Sequence, residues 1–524
     1  MHSDGKVRWS QAIACVAFAA TISGAPLARA GGLEDTVGGA IGLGRSAYFA
    51  RVNDFMAVLQ NPANLSVVPS NELGGEIRVP ILTSCFDRQF DPNMAAKYKK
   101  DENGNIVESF DQVCGSGLMP TGNVGFVSSY DNGLGWGAGI YTPAAAGAVA
   151  RFGTDTNRTL GYQPGSELFT PTLTGLESPA RVLGLERRGV IAYLMAGLGY
   201  QPVKQFRFGA SAGIGFASIY NKNMISTIGG TFTDPEVLNE LHVDDFAIPR
   251  ATVSFVATPV DSLDVVGSLA YQGDINASGY VDLTANGFMD APLRNCYQPA
   301  GGRPGSHCRV DGVRLKIPNP TLEATAGLRY AQQRGTRKRV LDPMKDEVWD
   351  IEADVQWSQT SHIDEFVATV HTKEISDPSA PRIEFTNTDT PQLRPVPNVT
   401  RIPKHWNDSW TFRLGGDVNV VPERFTFRLG ASFSPRAMPI GYANIDYAMP
   451  IQKIGIHVGS TLAVGKYRIS VAYAHLFYET IDVPLGQGMV RDIVPGSGAN
   501  ADPVNEGRFA GSLDVVSLQA NAQF

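Results

Sequence analysis

Alternation of apolar and polar residues, repeated segment after segment, is the feature that most restricts how this chain can fold. Successive side chains of a β-strand point to opposite faces, so each such segment predicts a strand with one apolar and one polar face. The hairpin from Trp410 to Ser434 is the clearest case. One face of its first strand is apolar (Trp410, Phe412, Leu414, Val418, Val420), and the other is polar and charged (Thr411, Arg413, Asp417, Asn419). Charge of both signs on the polar face is typical of a strand between lipid and a wet lumen.

About fourteen segments of this kind follow one another, an even number as in bacterial single-chain barrels. They lie near 71–83, 120–130, 134–142, 187–200, 205–219, 248–258, 262–284, 315–331, 347–359, 408–420, 424–435, 453–464, 467–482 and 508–524. Short and long connections alternate between them, and 334–346 is the longest of the short set. Transmembrane barrels have short periplasmic turns and long outer loops. The sequence therefore predicts an all-β, antiparallel, transmembrane β-barrel over 70–524, with both termini periplasmic.

The N-terminus has the features of a secretory signal peptide over 1–30. Lys6 and Arg8 precede an apolar core at 12–22, and Ala28-Arg29-Ala30 forms a small-residue cleavage site. Beyond it, no stretch approaches the ~18 apolar residues of a spanning helix. The net charge of −7 argues against a nucleic-acid partner. We expect an exported protein of the bacterial outer membrane.

Residues 31–69 lie between this signal and the first strand and do not alternate. The stretch from Gly42 to Leu65 is irregular, mostly apolar and rich in small residues. An apolar segment without a partner strand has to be buried, and a closed barrel offers its lumen. We expect residues 31–69 to form a hatch that occupies the lumen.

The same stretch resembles the N-terminal hatch of the FadL family of outer-membrane importers of long-chain fatty acids and aromatic hydrocarbons. The resemblance rests on Gly42, Gly44, Arg45, Ala47, Ala50, Asp54, Ala57, Asn61, Pro62, Ala63 and Leu65. Asn64 departs from the family, in which Gly or a small apolar residue is usual. The resemblance implies capture of a hydrophobic ligand among the outer loops, movement of the hatch and lateral release through the barrel wall.

In the family the lateral exit lies beside an irregularity of the third strand. Here that strand contains Gly135, Gly137 and Gly139 and runs into Pro143. Glycines are positions where a sheet can kink or pair weakly, which agrees with an exit. They agree equally with ordinary curvature of the barrel.

Four cysteines follow the signal peptide: Cys85, Cys114, Cys296 and Cys308. In an exported chain an even number predicts disulfides, and four cysteines allow three pairings. Proximity in sequence favours Cys85–Cys114 and Cys296–Cys308, in the first and fourth outer loops. The spacing does not indicate a metal site, and we expect neither a metal nor a cofactor.

Several arginines have lumen-facing parity, and each could bind the carboxylate of a fatty acid. They are Arg207, Arg329, Arg413, Arg428 and Arg468. The alternative is that they pair with lumen carboxylates such as Asp350, Glu352 and Asp354. A symmetric hairpin register places Asp417 opposite Arg428, which favours pairing for that arginine.

The last strand alternates to its end at Phe524, as in proteins recognised by the barrel-assembly machinery. Outer-membrane lipid and lipopolysaccharide are the surroundings we expect. Catalysis is not expected, because the histidines are scattered and His475 has lipid-facing parity. A general porin or a surface adhesin remains the alternative to a transporter.

Overall fold

The structure is a computed structural model of the chain. It describes residues 38–89, 112–118, 120–142, 150–151, 180, 183–226, 236–285, 293–294, 307–340, 342–370, 382–387, 390–395, 399–445, 450–491 and 503–524. The predicted signal peptide therefore lies outside the described residues.

Fourteen antiparallel strands form one closed barrel. Each strand pairs with the next in sequence, and β14 pairs with β1 from Glu72↔Gln523 to Arg88↔Gly507. The prediction of a closed all-β barrel is confirmed. The strands are β1 Glu72–Arg88, β2 Val113–Leu118 and Thr121–Ser129, β3 Leu134–Tyr141 and Ala150–Arg151, β4 Glu186–Val203, β5 Phe206–Ser226, β6 Glu236–Val260, β7 Leu263–Gln272 and Ile275–Ala285, β8 His307–Ile317 and Leu322–Gln333, β9 Glu347–Ser358 and Glu365–Val370, β10 Val399–Pro403 and Ser409–Val421, β11 Phe425–Ser434, β12 Lys453–Val464, β13 Tyr467–Tyr478 and Ile481–Val483, and β14 Gly507–Gln523.

The alternation of the sequence separates the two faces of the barrel. The outer face is apolar, and side chains such as Leu194, Leu414 and Ile456 are at least half exposed there. The inner face is buried and carries most of the charged residues of the strands. Near the short turns, aromatic rings meet on the outer face, as Phe206 does with Phe208 and Phe255. An apolar outer belt with aromatic residues at its border is the surface of a barrel in lipid.

Several strands continue beyond their predicted ends into the long connections. β5 and β6 pair up to Ser226↔Glu236, where the alternation had predicted a loop over 220–247. The hydrogen-bonded ladder therefore continues beyond the residues that the alternation assigned to these strands. Cys85 and Cys114 face each other across β1 and β2 and form a disulfide. That predicted pairing is confirmed, but its location in an outer loop is wrong, because both cysteines lie in strands.

The helices are short. The hatch contains α1 Gly39–Arg45, α2 Ala57–Gln60 and a 3₁₀ turn Pro62–Val67, and α3 Pro343–Asp346 lies between β8 and β9. Two more 3₁₀ turns are Thr360–His362 and Ile440–Tyr442. A small separate sheet joins Leu293–Arg294, Arg382–Asn387 and Thr390–Pro395. Within the ranges described above, no helix has the length and apolar character needed to cross a membrane.

Candidate functional site: the hatch and the wall it contacts

The hatch, here residues 38–69, lies inside the barrel and is almost fully buried. Leu43, Val52, Phe55, Met56 and Leu65 are each 0% exposed. A segment this short cannot bury such residues against itself, so the barrel wall supplies the surrounding surface. The predicted position of the hatch in the lumen agrees with this arrangement.

Three acidic residues at alternate positions of β9 hold one side of the hatch. Asp350 accepts from Arg45 Nη1 at 3.1 Å, and Glu352 accepts from Arg45 Nη2 at 3.2 Å and from the Ala50 backbone N–H at 2.6 Å. Asp354 accepts from the backbone N–H of Tyr48 at 3.0 Å. Alternate residues of a strand face the same side, so the three carboxylates form one column along the lumen. We call Asp350, Glu352 and Asp354 the acid column.

Further ion pairs connect the acid column to the neighbouring strands. Arg51 of the hatch pairs with Asp417 on β10, and Arg428 on β11 pairs with the same carboxylate at 3.1 Å. Asp417 and Arg428 are register partners, as the symmetric hairpin predicted. Arg329 on β8 pairs with Asp350 at 2.6 Å. Arg329 and Arg428 therefore neutralise buried carboxylates, which is the alternative to binding a ligand.

The other three arginines named from parity have different surroundings. Arg207 donates to Asn64 Oδ1 of the hatch at 2.7 Å. Arg468 pairs with Asp342 in the connection between β8 and β9. Arg413 lies on β10 beside the acid column and opposite Asp354 in register.

Asp54 occupies the other side of the hatch and is 2% exposed. It accepts from Gln519 Nε2 on β14 at 2.8 Å, from its own turn at Met56 N at 2.9 Å, and from Tyr48 Oη at 3.4 Å. Burial raises the pKa of the Asp54 carboxyl above its ordinary value. The same burial raises the pKa of Tyr48. The alternation did not predict Gln519 as the partner, because the pairing joins the two ends of the chain.

The Asn-Pro-Ala segment closes the hatch on itself. Asn61 Nδ2 donates to the Phe49 carbonyl at 2.6 Å, and Asn64 Nδ2 donates to the Ala50 carbonyl at 3.1 Å. Pro62 begins the 3₁₀ turn, where a missing N–H removes no bond. Asn64, the departure from the family pattern, therefore has a structural role equivalent to that of Asn61.

Glycines of three neighbouring strands let the hatch backbone approach the wall. A Cβ on Gly135, Gly199 or Gly209 would lie closer than 3.0 Å to backbone atoms of residues 62–66. Gly199 and Gly209 are register partners on β4 and β5. We call Gly135, Gly199 and Gly209 the glycine row. Any larger residue there would push the hatch away from the wall.

The remaining glycines of the third strand also have close neighbours. A Cβ on Gly137 would meet Val58 of the hatch and Val127, and one on Gly139 would meet the Val124 carbonyl and Tyr141 Oη. Contact with the hatch and with β2 therefore explains these glycines without an exit. Pro143 lies outside the described residues.

The lumen between the hatch and the long connections is apolar. Phe55 of the hatch packs beside Tyr141, whose hydroxyl donates to the Phe55 carbonyl at 2.8 Å. The same buried cluster contains wall residues from the outer parts of β4 to β8, namely Ile191, Tyr193, Ile219, Val243, Ile275, Val281 and Val310. A second apolar cluster includes Leu43 and the outer parts of β1, β13 and β14. The surface of the lumen between the hatch and the long connections is thus apolar on at least two sides.

Solved structures resemble this arrangement over nearly its whole length. A Pseudomonas aeruginosa FadL homologue covers 96% of this chain and 100% of its own, with a TM-score of 0.60 and 15% identity. The P. putida toluene transporter TodX covers 94% and 99%, with a TM-score of 0.60 and 14% identity. The Ralstonia pickettii toluene transporter TbuX covers 94% and 99%, with a TM-score of 0.55 and 12% identity.

This chain has the FadL fold. The sequence itself matches no family model, and no curated protein matches it. At identities of 12–15% the likeness concerns the fold and leaves the ligand open.

The FadL fold places the predicted hatch residues around one buried centre. Arg45, Asp54 and Asn61 make the polar contacts given above, and Leu65 packs against the wall. Gly44 touches Gly459 on β12 so closely that a Cβ on either glycine would clash or nearly clash. The Gly42 carbonyl accepts from the Ser46 N–H at 2.8 Å. Pro62 and Ala63 contact the glycine row.

Some hatch contacts were missed at the sequence level. His457 on β12 bonds through Nδ1 to the Leu43 carbonyl at 2.9 Å, and its Nε2 meets Ser432 Oγ at 3.1 Å. The sequence does contain a signal for this contact, because His457 occupies a lumen-facing position of β12. Cys296 lies outside the described residues, as does the side chain of Cys308, so their pairing stays a prediction.

Proposed function

We propose that this protein imports hydrophobic small molecules, either long-chain fatty acids or aromatic hydrocarbons, across the bacterial outer membrane. The observation that carries the proposal is the combination of apolar clusters in the part of the lumen between the hatch and the long connections with a hatch that fills the barrel below them. A solute that avoids water needs an apolar pocket and has no use for a wet channel. The fold shared with toluene transporters supports the same function.

A general porin is the less favoured alternative. A porin conducts ions and polar solutes through an open, polar lumen. Here Leu43, Phe55 and Leu65 of the hatch are buried against the wall, and the acid column is occupied by hatch residues. An adhesin could share the barrel, but no described residue favours that reading over transport.

The apolar outer belt supports insertion in the outer membrane, with lipid and lipopolysaccharide around the barrel. We place the short turns and both chain ends in the periplasm, because outer-membrane barrels have their long loops outside. The final strand places Phe524 beside Phe126 on the outer face, with ring centroids 6.1 Å apart. We propose that this terminal strand is what the barrel-assembly machinery recognises.

We propose that the ligand leaves sideways through the wall next to the third strand. The glycine row separates the hatch from an apolar groove of about 800 Å³ on the outer face, lined in part by Leu134, Leu198, Tyr200, Phe208 and Phe255. At Gly199 and Gly209 the wall has no side chain between the hatch backbone and the groove. Movement of residues 61–66 would thus remove the backbone that covers these two glycines.

Uptake by cells tests the proposal. Cells that lack their own importer would express this protein or a variant deleted for Gly42–Leu65, and would receive labelled long-chain fatty acid or a monoaromatic hydrocarbon. We expect uptake of one compound by the intact protein and leakage of a bulky antibiotic through the deleted one. Failure to take up either compound, with free passage of ions through the intact protein, would overturn the transport function.

A further inference from the structure

The connection between β8 and β9 is the longest of the short set, and it crosses the periplasmic mouth of the barrel. We call residues 334–340 and 342–346 the strap. On one side Arg339 donates to the carbonyls of Asp131 at 2.6 Å and Gln201 at 2.8 Å, in two other turns. On the opposite side Asp342 pairs with Arg468 on β13. The strap therefore contacts the turn between β2 and β3, the end of β4 and, on the opposite side of the barrel, β13.

The strap is also held at its centre. Arg337 is 6% exposed and pairs with Asp264 on β7 at 2.8 Å, and its Nη1 donates to the Asp261 carbonyl at 3.2 Å. Asn419 on β10 donates to the Pro343 carbonyl at 2.7 Å. These contacts fix the strap directly below the hatch.

A small cavity lies between the strap and the hatch. Its volume is about 20 Å³, which is enough for one water or a monatomic ion and too small for a carboxylate or phosphate group. Five guanidinium groups and a single carboxylate, Asp264, are among its lining groups. The five arginines are Arg51, Arg207, Arg329, Arg337 and Arg339.

Arg207 carries the argument, because it is 4% exposed. Within the part of the chain that the structure describes, its guanidinium bonds to Asn64 Oδ1 at 2.7 Å and forms no ion pair. Asp264 already pairs with Arg329 at 3.2 Å and with Arg337. Asp264 also attracts Arg207 electrostatically, but its charge is divided among three arginines. A buried cation that is only partly compensated is costly, so this site favours an added negative charge.

The donors around the cavity distinguish an anion from a water. A guanidinium group has five N–H donors and no acceptor, and a water has two protons that need acceptors. Two of the amide oxygens near the cavity already accept a hydrogen bond, Asn64 Oδ1 from Arg207 and Gln201 Oε1 from Arg339 at 3.3 Å. The Asp264 carboxylate already accepts from Thr258, Arg329 and Arg337. An ion that only accepts hydrogen bonds suits this lining better than water does.

We propose that the cavity between the hatch and the strap binds a chloride ion. The ion would accept from Arg207 and from the strap arginines Arg337 or Arg339. Since Arg207 also holds Asn64, chloride would connect the hatch to the strap and stabilise the closed hatch. This proposal concerns the barrel at rest and does not depend on which ligand is transported.

Bromide substitution tests the site directly in the full mature protein. Crystals grown with bromide in place of chloride would be measured at the bromine absorption edge. We expect an anomalous peak in the cavity within hydrogen-bonding reach of Arg207. Water without an anomalous signal at that position, in crystals that bind bromide elsewhere, would overturn the proposal.

Hydrogen exchange provides the solution test. We expect the segment from Asn61 to Val67 to exchange more slowly in sodium chloride than in sodium gluconate at equal ionic strength. Arg207→Gln should abolish this difference, and Arg424→Gln, at an exposed position of a neighbouring turn, should retain it. Equal exchange in the two salts, or a chloride effect that survives Arg207→Gln, would count against a chloride at this site.

Discussion

Arg45 in the first helix of the hatch donates to Asp350 on β9 at 3.1 Å, although 305 residues separate the two in sequence. The same Asp350 oxygen accepts from Arg329 on β8 at 2.6 Å. One buried carboxylate thus joins the hatch to the barrel wall. Such pairs hold the hatch in its position inside the barrel.

Loss of Arg45 should destabilise the protein strongly. In Arg45→Ala, Asp350 and Glu352 lose a cation while both stay buried, and breaking a buried pair costs about 3–5 kcal/mol. The free energy of unfolding in detergent, from denaturant titration, measures the loss. Arg424→Ala, at an exposed turn position, is the matched control and should change stability by less than ~0.5 kcal/mol. An equally small change for Arg45→Ala would show that the ion pairs of Arg45 with Asp350 and Glu352 do not stabilise the protein.

A methyl group in the glycine row should displace the hatch. In Gly199→Ala the new Cβ would lie 2.5 Å from the Pro62 carbonyl oxygen, so residues 62–66 have to move. Gly75→Ala is the control, because its Cβ would have only one neighbour, at 3.8 Å. We expect faster hydrogen exchange over the hatch and greater sensitivity to a bulky antibiotic for Gly199→Ala alone. Identical behaviour of the two variants would contradict the close contact.

The Asp54 carboxyl should make stability depend on pH. Burial raises its pKa in the folded protein, so the folded chain keeps a proton that the unfolded chain has lost. This contribution is fully present below the ordinary carboxyl pKa of about 4 and is lost as the pH rises through the raised value. Asp54→Asn has no such proton, so its stability relative to the parent should increase as the pH rises from 4 to 8. Thermal unfolding of both proteins at several pH values measures the stability of the variant minus that of the parent. A value that stays constant or falls between pH 4 and pH 8 would contradict the prediction.

The strap should restrict flow along the barrel axis independently of the hatch. Replacing residues 335–345 by Asn-Gly would leave a tight hairpin turn and remove Arg337, Arg339 and Asp342 from the mouth. In planar bilayers we expect little conductance from this variant while the hatch is present. Combined with deletion of Gly42–Leu65, it should conduct more than the hatch deletion alone. Equal conductance of the double and single deletions would mean that the strap leaves the mouth open.

The alternation of residues determined much of this structure before any coordinates. A strand between lipid and a polar lumen has to place apolar and polar side chains on opposite faces, so parity alone predicts the barrel, its strand number and its lumen residues. Hairpin register follows from a short turn, and for that reason Asp417 and Arg428 were paired correctly. The disulfide between Cys85 and Cys114 also followed from proximity in sequence.

Only the tertiary structure decided what the lumen residues do. Parity places Asp350, Glu352 and Asp354 on one face, but their partners Arg45, Tyr48 and Ala50 come from a segment without periodicity. The glycine row and the strap depend in the same way on which strands closure of the barrel brings together. Local patterns record the environment of each residue, water or lipid, and contain no information on distant partners. Those partners are set by the closed ring of strands and by the volume left inside it.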